Sequence, residues 1–581
     1  MSEVASKDLL NWRVASACAP ETRCRACGSV GTLEPCVQAT HTIVPDVACT
    51  FDRCRQCASL SLRGDILTFD HIFGHDTESF CRAYVESSAG PWEMFWPPAM
   101  VADAPTRSLL DVGCGFGFTA DGWRRVMNED ALGCDPANYA AFGRELFGPH
   151  IHHAMLAEVP AAATRQFDLV YASEVIEHVD DPHAFVRELG DRLTPRGILV
   201  LTTPAAEFIE PAASRLTAMA ALAPGFHNLL FSAERLRAVL LEAGFTEVIV
   251  QRHEERLVAW ASRQPFTLLA DAAALAPRYL GYLADTAKRL TALSVRDDGI
   301  EPIRRALLAG VHYRLYKEHV LRGLRAQAPT WREPARRDVL LDRRDGETLE
   351  VGIDRFLATS EGTFDAFLKG ARLHLPQLCF VEGQWAEMSG DAKAAIAWYR
   401  RAERATRWLA DDKPLANVEA SSFVWYALAG VQRTGAAIGA FDDVRHAALT
   451  LAGALAARRS AYASEPDPFV ATAVIVQAAD ALARPQPAAI GELIAALQDE
   501  SASDDGLIAA LVAYLRARQA SDVDGDRAGA ARLASEALQR RDASPSDPPP
   551  RRGAEQALAL IRERLEAFRA APASFASLFR R

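Results

Sequence analysis

The chain changes its hydrophobic rhythm along its length. From residue 107 short apolar runs alternate with stretches whose apolar residues recur at helical spacing: "RSLLDV" precedes "FTADGWRRVM", and "ALGCD" precedes "NYAAFGRELF". "FDLVYA", the amphipathic "DPHAFVRELGDRL", the turn "TPRG" and the run "ILVLTTP", closed by Pro204, continue the alternation. Buried strands separated by amphipathic helices predict a wound parallel sheet covered on both faces. "SAERLRAVLLEAGF" predicts a helix with Ser232 as its N-cap and Gly244 as its stop, and "TEVIVQ" and "RLVAWAS" predict two late strands able to pair as a hairpin. After about residue 262 Ala, Leu and Arg dominate at helical spacing, so the last part of the chain is expected to be all-helical.

Before residue 85 the informative pattern is cysteine. Of 11 cysteines, eight fall before residue 82, and four form Cys24-x2-Cys27 and Cys54-x2-Cys57. Each pair can offer two thiolates from one knuckle, and two knuckles close a tetrahedral zinc site in a segment too polar for a core of its own. Such a closed site is structural. Gly28 suits the turn after Cys27, whereas Ala58 follows Cys57, so the second knuckle is less typical. Cys18, Cys36, Cys49, Cys81, His41, His71 and His75 are secondary ligand candidates.

"LLDVGCGFGF" carries Gly113, Gly115 and Gly117 directly after a strand. A dinucleotide fingerprint would need a glycine at 118, where Phe118 stands, so a nicotinamide cofactor is disfavoured. Asp111, two residues before the first glycine, would repel a pyrophosphate and attract a cation. Cys114, between two glycines, reads as a small filler.

Together with "GCDPAN", "FDLVYASEVIEHVDDPHAFVREL" and "LTPRGILVLTTP", that stretch resembles the class I S-adenosylmethionine-dependent methyltransferases. The resemblance implies a Rossmann-like seven-stranded α/β sheet with S-adenosyl-L-methionine as cofactor. It implies that Asp111, Gly113, Gly115 and Gly117 hold the amino acid end of the cofactor, that Asp135 takes both ribose hydroxyls, and that Met155 or Leu156 lies along adenine. In "SEVIEHV" Glu174 is expected to face the cofactor, while Glu177 and His178, with His227 of "FHNLLF", are candidates for the catalytic base. Each also has a bland reading, as a brace of its loop. A double-cysteine leader before such a domain is similar to a subgroup some of whose members methylate sugars. The expected architecture is therefore a flexible stretch over 1–20, a zinc-ribbon-like leader with structural Zn2+ over 21–84, a methyltransferase domain over 85–262 and a helical domain over 263–581. The expected activity is O-methylation of a small polar metabolite or a sugar in a surface-glycan or nucleotide-sugar pathway. The alternatives are C-methylation of a nucleotide sugar, or a scaffold whose helices recruit a glycan-assembly partner.

Composition narrows these readings. The net charge of -11 disfavours a nucleic acid partner, and no apolar run reaches the roughly 18 residues of a membrane span. With no signal-peptide pattern at the N-terminus, a cytoplasmic protein is expected. Residues 205–225 lengthen the link before the last helix of the domain and are expected to form a partial lid. The aromatic run 91–98 is expected to pack a domain joint. "FVEGQWAEMSGDAKAAIAWYRRAERAT" sets Ala395, Tyr399 and Ala402 on one face after Gly390 and resembles part of a tetratricopeptide repeat. "GDRAGAARLASEAL" repeats the small-residue spacing with Gly525, Ala530, Ala534 and Ala537, so the region around 370–540 reads either as helical repeats or as an irregular bundle.

Overall fold

A computed structural model of the 581-residue chain describes residues 10–14, 18–42, 47–64, 82, 84–86, 90, 92–211, 213, 215–253, 255–294, 299–358, 364–412, 418–457, 466–497, 506–542 and 554–570. His71, His75, Cys81, Pro91 and residues 544–553 lie outside the described residues. The chain divides into two compact units. The first comprises residues 1–211, 217–318 and 326–335; the second comprises 212–216, 319–325 and 336–581.

Unit 1 is built on a seven-stranded sheet. Its strands are β5 (Leu109–Val112), β6 (Ala131–Asp135), β7 (Ile151–His153), β8 (Phe167–Ser173), β9 (Leu193–Pro204), β11 (Glu247–His253) and β12 (Arg256–Ser262), in the order β11-β12-β9-β8-β5-β6-β7. β5 pairs in parallel with both β6 and β8, and β8 with β9. β12 pairs antiparallel with β9 and with β11, which makes the hairpin expected from the two late apolar runs. The period-2 alternation of the strands sorts their side chains between two cores. Leu109, Leu169, Tyr171, Ile198, Val200, Val258 and Trp260 face one, while Leu110, Val112, Val170, Leu199, Leu201, Leu257 and Ala259 face the other.

The first core is covered by α1 (Trp92–Ala99), α2 (Phe118–Val126) and by α6 (Ala276–Ala292) and α7 (Ile300–Leu321), which contribute Tyr279, Tyr282, Leu283, Ile303 and Leu307. The change of texture near residue 262 thus marks the end of the sheet rather than the end of the compact unit. In α1, Trp96 lies 6.1 Å from Trp260, whose indole N–H donates to the Pro97 carbonyl, and Trp92 meets Tyr279 edge-on at 5.2 Å. The second core takes α4 (Pro182–Asp191) and α5 (Ala233–Glu242). Ser232 caps α5 by accepting from the Arg235 N–H, and Gly244 follows the helix at φ +90°.

The leader belongs to the same unit. β1 (Leu10–Asn11), β2 (Leu33–Thr40), β3 (Ala48–Cys54) and β4 (Leu60–Leu62) form an antiparallel sheet that β10 (Leu229–Leu230) completes, with Leu229 opposite Ser61. A strand from the far end of the sheet domain therefore closes the leader's edge.

Unit 2 is helical. Consecutive helices over 375–388, 392–412, 418–438, 441–457 and 468–482 pack on one another. Ala395, Tyr399 and Ala402 are buried, and the Tyr399 ring is clamped between Gly383 and Gly430, where an added Cβ would come within 2.4 Å of it in either case. Among the described residues no helix is long and apolar enough to cross a membrane.

Candidate functional site

Two clusters of chemistry-bearing side chains occupy the same edge region of unit 1, and a third sits in the leader.

The glycine turn leaves β5 with Gly113, Gly115 and Gly117 at φ +71°, +58° and +92°, a backbone region that strongly favours glycine. Two of the glycines are also needed by their neighbours: a Cβ at 113 would lie 2.4 Å from Val175 and one at 117 would lie 2.5 Å from Ile151. Asp111 stands in β5 and Asp135 ends β6, both buried. Asp135 accepts from the Gly115 N–H at 3.0 Å through one oxygen and from the Ala137 N–H at 2.8 Å through the other. A carboxylate oxygen can accept more than one hydrogen bond. Burial, with Asp135 next in importance, pushes the Asp111 carboxyl up to about 8, and no cation contributes to that balance among the described residues. Two acids this close, without a counter-charge on Asp111, form a seat that a cationic ligand would relieve. Tyr84 stacks on Tyr139 at 4.9 Å, and its hydroxyl lies beside Gly115, neither residue having been picked out by motif. Leu156 is buried, whereas Met155 is 54% exposed, so of the two adenine candidates only Leu156 is part of the packed interior.

The second cluster follows β8. Glu174 adopts φ +55°, which turns the chain sharply, and Oε1 accepts from the Thr202 hydroxyl at 2.9 Å while Arg256 Nε stands 3.8 Å away. Sequence reasoning missed Thr202 and Arg256, which lie in β9 and β12 and carry no motif. Glu177 is fully buried. Its Oε2 accepts from the Thr203 hydroxyl at 2.9 Å, while Oε1 has no hydrogen-bond partner among the described residues and lies 3.9 Å from His227 Nε2. The rings of His178 and His227 meet edge-on at 4.7 Å. Asn228 ties the two segments together, its backbone N–H donating to the Glu177 carbonyl and its side-chain amide to the His178 carbonyl. Burial pulls both imidazoles down, His227 to about 3, and drives the Glu177 carboxyl well up. An imidazole pulled down that far makes His227 a poor general base acting alone.

The leader's four cysteines converge: Cys24 Sγ lies 3.7 Å from Cys57 Sγ, and Cys27 Sγ lies 3.7 Å from Cys54 Sγ. The edge of a ZnS4 tetrahedron with bonds of about 2.3 Å is about 3.8 Å, so the donor set fits zinc. The two knuckles are alike: Gly28 N–H donates to Cys24 O and Ala58 N–H to Cys54 O, each at 2.8 Å, with φ +72° at Gly28 and +59° at Ala58. The second knuckle therefore has the same shape as the first despite lacking glycine. Of the secondary candidates, Cys18 donates to Asp52, and neither it nor Cys36, Cys49 or His41 joins the four. The knuckles also brace the sheet domain. Ser232 Oγ donates to Cys57 O at 2.6 Å, and Ala26 O receives Arg235 Nε at 2.9 Å and faces His183 Nε2 at 3.0 Å.

Residues 92–250 match the family described as "Methyltransferase domain". The chain is similar to ubiquinone biosynthesis O-methyltransferases: 36% identical over 100 residues to that of Azorhizobium caulinodans, covering 16% of this chain and 39% of that protein, and 38% over 100 residues to that of Cereibacter sphaeroides, covering 16% and 40%. The chain thus spans about two fifths of the length of the curated relatives it matches. A solved S-adenosylmethionine-dependent methyltransferase of Thermotoga maritima is 18% identical, covering 32% of this chain and 98% of that one with a TM-score of 0.25, too slight a likeness to carry an argument. Residues 92–250 are a class I S-adenosylmethionine-dependent methyltransferase domain.

Proposed function

We propose that the protein is an S-adenosylmethionine-dependent O-methyltransferase acting on a hydroxyl of a small polar acceptor, with a structural Zn2+ held by Cys24, Cys27, Cys54 and Cys57. The observation that carries the reading is the pair of buried acids, Asp111 and Asp135, on either side of the bare turn at Gly113–Gly117. A ligand with an ammonium or sulfonium charge and a vicinal diol answers both, and S-adenosylmethionine has all three groups. Its sulfonium activates the methyl group, so the chain's task is to align an acceptor oxygen behind the carbon–sulfur bond and to exclude water. Oxygen is favoured as the atom methylated because the relatives over the matched 100 residues are O-methyltransferases by name.

The test is calorimetric titration with S-adenosylhomocysteine. The full chain is expected to bind it, and Asp135→Ala to weaken binding at least tenfold, since a lost charge-assisted bond to two hydroxyls is worth on the order of 1.5–3 kcal/mol. Equal affinity in the variant would reject the site.

A further inference from the structure

The third glycine of the turn, Gly117, is also the residue that caps α2, so whatever fixes α2 fixes the end of the turn. Within the first coil of that helix the Asp121 N–H donates to the Gly117 carbonyl at 2.9 Å. The Asp121 carboxylate is fully buried, and its Oδ2 accepts from Arg289 Nη2 at 2.6 Å. Oδ1 has no hydrogen-bond partner among the described residues, with Arg125 Nε 3.5 Å and His150 Nε2 3.9 Å away. The buried acid is thus hydrogen-bonded by a side chain of α6, 168 residues further along the chain. A carboxylate taken out of water is costly unless it is paired and hydrogen-bonded. Asp121 cannot part from Arg289 without burying a charge poorly paired, so the pair pins α2 to α6.

Arg289 is itself held. Its Nε donates to Asp285 Oδ2 at 2.8 Å and its Nη2 to the Thr286 hydroxyl at 3.2 Å. Its guanidinium carbon lies 5.8 Å from the ring centroid of Phe147, the last residue of α3 (Asn138–Phe147). The Phe147 ring in turn meets Phe116 edge-on at 5.4 Å and Phe118 at 5.8 Å, and Phe116 stands between the second and third glycines of the turn. Arg289 therefore reaches the turn by two routes, through Asp121 and α2 and through Phe147 onto Phe116. The packing leaves little room to slide: a Cβ at Gly122 of α2 would lie 3.3 Å from the Tyr282 ring of α6, and one at Gly143 of α3 would collide with the Phe116 carbonyl. A planar guanidinium with five donors in a fixed fork can hold several such directions at once, which a single ammonium cannot.

We propose that Arg289, which lies beyond the matched residues 92–250 and beyond the last strand of the sheet, is a positioning residue for the cofactor. By pinning Asp121 and backing Phe147 it keeps the Gly113–Gly117 turn, and with it the bond from the Gly115 N–H to Asp135, in the form that receives S-adenosylmethionine. It acts through these residues and is not a catalytic group. The role rests on the methyltransferase reading above, and it makes α6 part of the cofactor-binding domain in function as well as in packing.

The test is calorimetric titration of the full chain and of Arg289→Met with S-adenosylhomocysteine, at a temperature well below the thermal midpoint of each, so that folded populations are compared. Arg289→Met keeps the apolar stem and removes the donors. Its affinity is expected to fall by about fivefold or more, the size of effect produced by a residue coupled to a site it does not touch. Arg289→Lys retains the charge and one donor for Asp121, and is expected to recover part of the loss. A merely structural ion pair would lower the midpoint and leave the affinity of the folded chain alone, so parent affinity in Arg289→Met overturns the proposal. Should Arg289→Met fail to fold, Arg289→Lys decides: weakened binding supports the role and parent affinity overturns it. A parent chain that binds no S-adenosylhomocysteine removes the methyltransferase reading and this role with it, whereas equal binding by parent and variant removes the role alone.

Discussion

The leader's four thiols and the Glu177–His178–His227 group are both compact sets of ligating atoms in one unit, yet they are assembled in opposite ways. The thiols arrive as two local knuckles, each closed by its own backbone bonds within five residues, from Cys24 to Gly28 and from Cys54 to Ala58. The second group depends on chain segments some fifty residues apart, with His178 held by Phe226 and Glu177 by Thr203. The difference teaches where each is vulnerable. A knuckle survives changes elsewhere but not the loss of a sulfur, whereas the Glu–His group is sensitive to any shift of the elements that press on it.

Removing a sulfur should have the largest effect. In Cys54→Ser the leader is expected to lose its metal and its fold, since structural zinc contributes on the order of 10 kcal/mol or more in small domains. Because the knuckle carbonyls of Ala26 and Cys57 hold Arg235 and Ser232, the variant should also lose methyl transfer; metal analysis with limited proteolysis checks the first part and a labelled-methyl assay the second. Intact activity in a zinc-free variant would show that the leader braces nothing.

Next comes pressure on the Glu–His group from behind. Gly113→Ala combines a left-handed backbone with a Cβ 2.4 Å from Val175, two residues before Glu177. A cost of about 1–3 kcal/mol is expected, seen as a lower melting temperature, together with a loss of S-adenosylhomocysteine binding. How much of this was legible beforehand differs between the two sides of that contact. The turn was visible as three alternate glycines after an apolar run, because that requirement is set by the backbone itself. Val175 as the side chain behind it was not, since nothing in "SEVIEHV" shows which strand it packs against.

A smaller effect separates the two buried acids by pH. Asp111, pushed up to about 8, is mostly protonated at neutral pH, and a cationic ligand selects its ionised form. Affinity for S-adenosylhomocysteine should therefore rise between pH 6.5 and 8, by at most about tenfold per unit, with release of one proton. Titrations in buffers of different ionisation enthalpy measure that proton, and a pH-independent affinity would mean that Asp111 does not meet the ammonium group.

The smallest effect compares the two knuckles directly. Ala58 holds a left-handed φ of +59° that Gly28 holds at +72° with open space around it. Ala58→Gly should stabilise the leader by about 0.5–1 kcal/mol and Gly28→Ala should destabilise it by about 1 kcal/mol. Opposite shifts of the thermal midpoint would confirm that backbone strain alone distinguishes the two.

Local pattern determined the element types of the sheet domain, the late hairpin, the Ser232 cap, the glycine turn and the pairing of the two cysteine knuckles. In each case the physical cause acts over a few residues: a period of two or 3.6, a φ above zero, a two-residue gap between thiols. Only the tertiary structure decided that Glu177 is buried with one oxygen unsatisfied among the described residues, that Thr203 and Asn228 hold its turn, that Met155 faces outward while Leu156 packs inward, and that the leader's sheet is completed by β10. Burial and partnership depend on which surfaces meet, and that depends on strand order across a hundred residues or more, which no local rhythm encodes.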